Sequence, residues 1–257
     1  MVGINTALFI VKFHFYFVCL KGRMDFSQQI ASLPVHNFDT DTGNERKKNR
    51  HGDLLPDSLR AAIVGPFNCG KTNCLMALIT HPNVLRFENI YVYSKSLNQP
   101  KYQYLKKLLE PIDGIQYFAF NDHQTVVSPD KFLPNSIMIF DDIACEKQDN
   151  AKAFFAMGRH KGVDSFYLSQ SYAHMPKHLS RENINFLILF RQDEMNIRHV
   201  YADHANTDMS FSKFKELCSL CWNQDEHSSL VIDKDSPING GRFRKNFDCF
   251  LIKLSES

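Results

Sequence analysis

The eight residues Gly65-Pro66-Phe67-Asn68-Cys69-Gly70-Lys71-Thr72 constrain this chain more than any other feature. A glycine, four residues and then Gly-Lys-Thr is the spacing of a phosphate-binding P-loop, provided a strand precedes it and a helix follows. Both conditions hold in the sequence. Ala61 to Val64 is a short apolar run that reads as a buried strand, and Asn73 to Thr80 reads as helix. Gly65 and Gly70 let the backbone bend until successive N–H groups face inward around phosphates, and the helix opening at Lys71 turns its positive end to the same place. Lys71 would reach the β- and γ-phosphates of a nucleoside triphosphate, and Thr72 would hold Mg²⁺ through its hydroxyl. Cys69 reads as a small residue facing a backbone-lined pocket, with redox sensitivity as the alternative.

A second acidic feature closes the apolar strand Ser136 to Phe140, which runs straight into Asp141 and Asp142. Carboxylates there stand at the carboxyl edge of a sheet, where open α/β sheets bind ligands. Asp141 would hold Mg²⁺ directly or through water. Asp142 is then the candidate to orient and deprotonate an attacking water.

The intervening and following segments alternate. Strands are expected at Asn89 to Ser94, Ile115 to Phe120, Ser165 to Ser169 and Phe186 to Phe190; helices are expected at Lys101 to Leu109, Asn150 to Met157, Asn196 to His204 and Ser210 to Trp222. Apolar strands separated by helical stretches predict an α/β fold with a mostly parallel central sheet and helices on both faces. Two last strands, Ser229 to Asp233 and Phe247 to Lys253, are expected to meet across a Pro237 to Gly241 turn, with Arg242, Arg244 and Lys245 as a basic hairpin tip facing either solvent or DNA. Residues 1–56 read as an N-terminal extension and basic linker, and 57–257 as one P-loop domain with C-terminal helices and a strand hairpin.

No Asn-Lys-x-Asp motif for guanine occurs, and no arginine-rich lid of a small-molecule kinase follows the core. The motifs GPFNCGKT, IMIFDDIA, GRHKGVDSFYLSQSYAHMPKHL and RENINFLILFR, in that order, resemble the poxvirus-type DNA-packaging ATPases. That family lies within the FtsK/HerA superfamily of DNA-pumping motors, and relatives are encoded by large self-synthesising DNA transposons and virophage-like elements. The resemblance covers about residues 57 to 205. It implies a P-loop NTPase fold of the ASCE type, hydrolysis of ATP with Mg²⁺, double-stranded DNA as partner, a homo-oligomeric ring, and capsid or portal-like proteins nearby. It further implies that Gln170, at the end of the strand after Asp141, senses the γ-phosphate, and that Arg159, just before that strand, is the finger on a neighbouring subunit's nucleotide. This chain departs from many such motors in carrying aspartate, not glutamate, after Asp141, so Asp142 and Glu146 both stand as candidates for the base. A domesticated nucleotide-binding module without motor activity would carry the same residues.

Composition narrows the partners. The formal charge of the 257 residues is only +2, so a nucleic acid would be met by local patches and not by a globally basic coat. The basic cluster Arg46 to His51 reads as a solvated mobile arm or a phosphate contact. Seven scattered cysteines fit reduced thiols in a cytosolic or nuclear host compartment, with virion association implied by the resemblance. Ala7 to Leu20 is apolar but short and interrupted by Lys12 and His14, so no stable membrane anchor is expected; it reads as an upstream extension, a buried strand or helix, or a membrane or targeting element. Cys218 and Cys221 with His227 lack the fourth ligand of a structural zinc site and read as one packed helix face. His199 and His204 read as solvated helix residues.

Overall fold

The computed structural model describes residues 50–252, apart from Asn83, His123, 144–146 and 224–226 and the side chains of His178, Ser180 and Arg181. The apolar run Ala7 to Leu20, the cluster residues Arg46 to Asn49, Cys19, Cys145 and the alternative base Glu146 therefore lie outside the described residues.

Nine strands form one sheet: β1 (Arg60–Val64), β2 (Asn89–Ser94), β3 (Gln116–Phe120), β4 (Ser136–Asp141), β5 (Val163–Ser169), β6 (Phe186–Leu189), β7 (Leu230–Asp233), β8 (Phe243–Lys245) and β9 (Cys249–Phe250). Their spatial order is β3-β2-β4-β5-β1-β6-β7-β8-β9. The first six strands pair in parallel, and β7 to β9 extend the sheet antiparallel. The decisive detail is that β5 stands between β1, which carries the P-loop, and β4, which ends in Asp141.

Side chains alternate across the strands, and the two alternating sets bury against different helices. Ala61, Ile63, Val92, Ile139 and Leu168 pack with α1 (Lys71–Thr80) and α2 (Pro100–Leu109). Ala62, Val64, Tyr93, Phe140 and Tyr167 face the other way, onto α3 (Asp149–Met157), α4 (Glu194–His204) and α5 (Phe211–Trp222). This is the doubly covered sheet that the continuous apolar strands require. Cys218 and Cys221 lie buried on α5 within that second core, beside Phe214 and Trp222. Capping fixes where α4 and α5 start: Asp193 accepts from the Asn196 N–H at 2.9 Å, and Ser210 accepts from the Lys213 N–H at 3.4 Å.

Three readings from sequence are corrected. Residues 50–58 do not stand off as an arm, because Asp164 at the base of β5 is fully buried and draws them in. Its carboxylate accepts from the Leu59 N–H at 2.8 Å and from His51 Nε2 at 3.0 Å, and pairs with Arg50 at 3.2 Å. His51 Nδ1 accepts the Arg86 N–H, so Nε2 carries the proton given to Asp164. The basic residues of the tail are not a hairpin tip either. Arg244 lies inside β8 opposite Val231, is buried, and pairs with Asp233 of β7 at 2.5 Å; Arg242 pairs with Asp208 at 2.5 Å. A buried arginine in a strand is tolerable only with such a partner, and the Asp233 side of the pair cannot be seen in a local pattern. Finally, His204 is 3% exposed, and burial together with the charges of Lys234 and Arg242 lowers its pKa to about 3; the Tyr172 hydroxyl lies 2.7 Å from its Nε2.

Candidate nucleotide site

The P-loop leaves β1 between the tips of β5 and β6. The Gly65 N–H donates to the Ser169 carbonyl at 3.1 Å, and the Phe190 N–H donates to the Val64 carbonyl at 2.8 Å. Neighbouring strands come so close here that a Cβ on Gly65 would stand 2.5 Å from Cys69 Sγ and 2.6 Å from Phe190 Cβ. Glycine is thus a steric requirement at this position. The loop then closes through two left-handed residues, Asn68 at φ 61° and Gly70 at φ 104°. Gly70 is the residue before α1; among the described residues no side chain caps that helix, and its first turn holds no acid. The amino end of α1 is left to an anion.

Lys71 folds its ammonium back over the loop, donating to the Gly65 and Pro66 carbonyls at 2.6 and 2.8 Å. Thr72 follows it in the first turn of α1 and is half-buried. Asp141, the last residue of β4, pairs in register with Leu168 of β5 and Ser94 of β2, so it emerges at the same sheet edge as the P-loop. The two groups feel each other: burial lowers the pKa of Lys71 while Cys69 and Asp141 hold it up, and burial raises that of Asp141 while the Tyr102 hydrogen bond and Lys71 hold it down. A carboxylate kept partly dry beside a second acid suits a hard divalent cation, and Asp141 and the Thr72 hydroxyl are the groups at this edge that could hold one.

Asp142 follows with φ 57°, a backbone conformation few aspartates adopt, and its carboxylate is exposed. Gln170, immediately beyond β5, lies exposed between the tips of β1 and β4. Lys71, Thr72, Asp141, Asp142 and Gln170 therefore share one edge.

Arg159 does not. It sits in the short 3-10 turn Gly158–Lys161 before β5, at the amino edge, where it lines a polar cavity of about 480 Å³ with Arg60, Asn185 and Asp235. The seven residues of β5 separate it from Gln170, which at roughly 3.3 Å per residue is about 20 Å. Within one chain Arg159 cannot reach the P-loop.

Three contacts of the site were not legible in sequence. Tyr102 on α2 donates its hydroxyl to Asp141 Oδ2 at 2.5 Å, Ser96 donates to Asp142 Oδ2 at 2.6 Å, and His227 Nδ1 lies 3.1 Å from the Cys69 carbonyl against the back of the loop. The first two depend on β2 lying beside β4, which no local pattern shows.

Comparison with known families places a model described as "Poxvirus A32 protein" over residues 46–249. No curated protein matches the chain. Among solved structures, the genome packaging NTPase B204 of Sulfolobus turreted icosahedral virus 2 in complex with sulfate is 12% identical, with 70% of this chain and 94% of that one covered and a TM-score of 0.48. EssC (ATPases 2 and 3) of Geobacillus thermodenitrificans is also 12% identical, with 77% of this chain and 40% of that one covered and a TM-score of 0.46.

Proposed function

This chain belongs to the poxvirus A32 protein family, and on that premise we propose that it is a P-loop ATPase that drives double-stranded DNA into a viral particle. One observation carries the reading: Lys71, just beyond the tip of β1, and Asp141, at the tip of β4, open onto one sheet edge with only β5 between their strands.

The chain's own groups supply the chemistry. Loop N–H groups and the amino end of α1 hold the phosphates, and the Lys71 ammonium exchanges its carbonyl partners for phosphate oxygens as charge builds on them. Thr72 and Asp141 would hold Mg²⁺, which neutralises phosphate charge when bound. Asp142 accepts the proton of the attacking water at its carboxylate, and the Gln170 amide, standing at the strand tip, reports the γ-phosphate as a shift of β5.

Arg159, remote from the P-loop of its own chain, acts on the nucleotide of the next subunit in a ring, where a guanidinium stabilises charge on the transferred oxygens. DNA is held through its phosphates by local basic patches, so binding weakens steeply with salt and reads little sequence. Capsid or portal-like proteins are the expected neighbours of such a ring. Among the described residues no helix is long and apolar enough to cross a membrane.

ATP turnover with Mg²⁺, measured with and without duplex DNA, tests the reading. Turnover stimulated by duplex DNA and abolished by Lys71→Ala is expected. Pure protein without turnover in either condition, or turnover indifferent to Lys71→Ala, would contradict it.

A further inference from the structure

The segment between β2 and the first turns of α2 touches both carboxylates of the site. Ser94 ends β2 opposite Asp141, and its Oγ accepts the Ser96 N–H at 3.0 Å. The Ser96 carbonyl then accepts the Gln99 N–H at 3.0 Å, and Gln103 Nε2 donates back to the Leu97 carbonyl at 3.1 Å. The segment is thus tied to itself at several points. From this frame Ser96 gives its hydroxyl proton to Asp142 Oδ2 at 2.6 Å, and Tyr102 gives its own to Asp141 Oδ2 at 2.5 Å. Tyr102 is only 1% exposed, and its ring lies in the buried core under α1 and α2.

We propose that Ser94 to Gln103 is a positioning clamp, in which Tyr102 orients Asp141 for the metal and Ser96 orients Asp142 for the water. The inference deepens the ATPase reading and rests on it. Each carboxylate has one oxygen committed to the clamp, which leaves the other for its task. For Asp142 the hydrogen bond also fixes a side chain whose backbone is held in the left-handed region, so the short aspartate arm is presented in one orientation.

Neither residue touches the reacting atoms, so the test separates positioning from chemistry. Tyr102→Phe keeps the buried ring and deletes the hydroxyl, Ser96→Ala deletes the other, and Ser96→Thr restores it. Mn²⁺ affinity is read by electron paramagnetic resonance, nucleotide affinity by fluorescent ADP without metal, and turnover as kcat and KM. Loss of a hydrogen bond to a charged group predicts that Tyr102→Phe weakens Mn²⁺ binding about tenfold or more with metal-free ADP affinity unchanged. Ser96→Ala is expected to lower kcat about tenfold at unchanged KM and Mn²⁺ affinity, with Ser96→Thr recovering most of it. Variants that match the wild type within twofold in Mn²⁺ affinity and kcat would overturn the clamp. A wild type that does not turn over ATP would instead sink the ATPase reading, and the Mn²⁺ shift of Tyr102→Phe would still decide the clamp on Asp141.

Discussion

Gly65→Ala puts the steric argument at the root of the P-loop under direct test. The added methyl would stand 2.5 Å from Cys69 Sγ and 2.6 Å from Phe190 Cβ, where carbon atoms prefer about 3.5 to 4.0 Å. About an ångström of overlap must be relieved on two sides at once. The Cys69 thiol can turn away, since it ends a short side chain. Phe190 cannot, because it is 2% exposed and its N–H is bonded to the Val64 carbonyl at 2.8 Å. The loop must therefore move away from β6. Overpacking of this kind costs about 1–3 kcal/mol, and for a chain of this size that lowers the melting temperature by roughly 2–12 °C. Because the displaced atoms are the phosphate cradle, nucleotide affinity should fall about tenfold or more, as each 1.4 kcal/mol lost is a factor of ten. Thermal unfolding and titration with a fluorescent ATP analogue measure both. Adding Cys69→Ala should return less than half of the lost stability, since the Phe190 contact persists. A Gly65→Ala protein that melts and binds nucleotide like the wild type would refute the reasoning.

Three further outcomes are expected. Asp141→Asn should raise the melting temperature of the nucleotide-free protein while abolishing turnover: burial raises the pKa of Asp141, so the penalty for its ionised form is present above that pKa. The stability difference should accordingly be full at neutral pH and narrow as pH falls through the raised pKa toward the ordinary carboxylate value; a neutral-pH variant less stable than wild type would oppose this. Asp164→Ala, which strands His51 Nε2 and the Leu59 N–H and leaves Arg50 only the Gly162 carbonyl, should cost about 3–5 kcal/mol by denaturant unfolding, the range for breaking a buried charged pair. Finally, Arg159→Ala should lower turnover by about 10³-fold or more with nucleotide binding per subunit retained. Mixing it with Lys71→Ala, each variant lacking a different half of a shared site, should restore part of the activity; no recovery in mixed assemblies would argue against a site completed from next door.

The parts of this molecule that the sequence displayed are those encoded locally. The P-loop with its flanking strand and helix, the acidic end of β4 and the alternation of apolar strands are patterns of adjacent residues, and they appear where expected, with β2 matching to the residue. What stayed hidden depends on distant partners. Arg244 looked like part of a polar tip until β7 brought Asp233 to it, and His51 and Arg50 looked solvated until Asp164 was found beneath them. His204 has the spacing of a surface helix residue, and partners from elsewhere in the chain, Tyr172 among them, bury it. Tyr102 and Ser96 reach the acids because β2 neighbours β4 in space, with β3 placed outside both. Sheet order carried this information, and a reading along the chain has no access to it.

A triphosphate held in the Gly65 to Thr72 loop is the premise of the whole mechanism. A structure of the protein with Mg²⁺ and a non-hydrolysable ATP analogue measures that place directly. The γ-phosphate is predicted to lie within hydrogen-bond reach of Lys71 Nζ, with the metal between the Thr72 hydroxyl and the Asp141 carboxylate. Nucleotide density at the amino edge beside Arg60 and Asp235, with the Gly65 to Thr72 loop vacant, would contradict it.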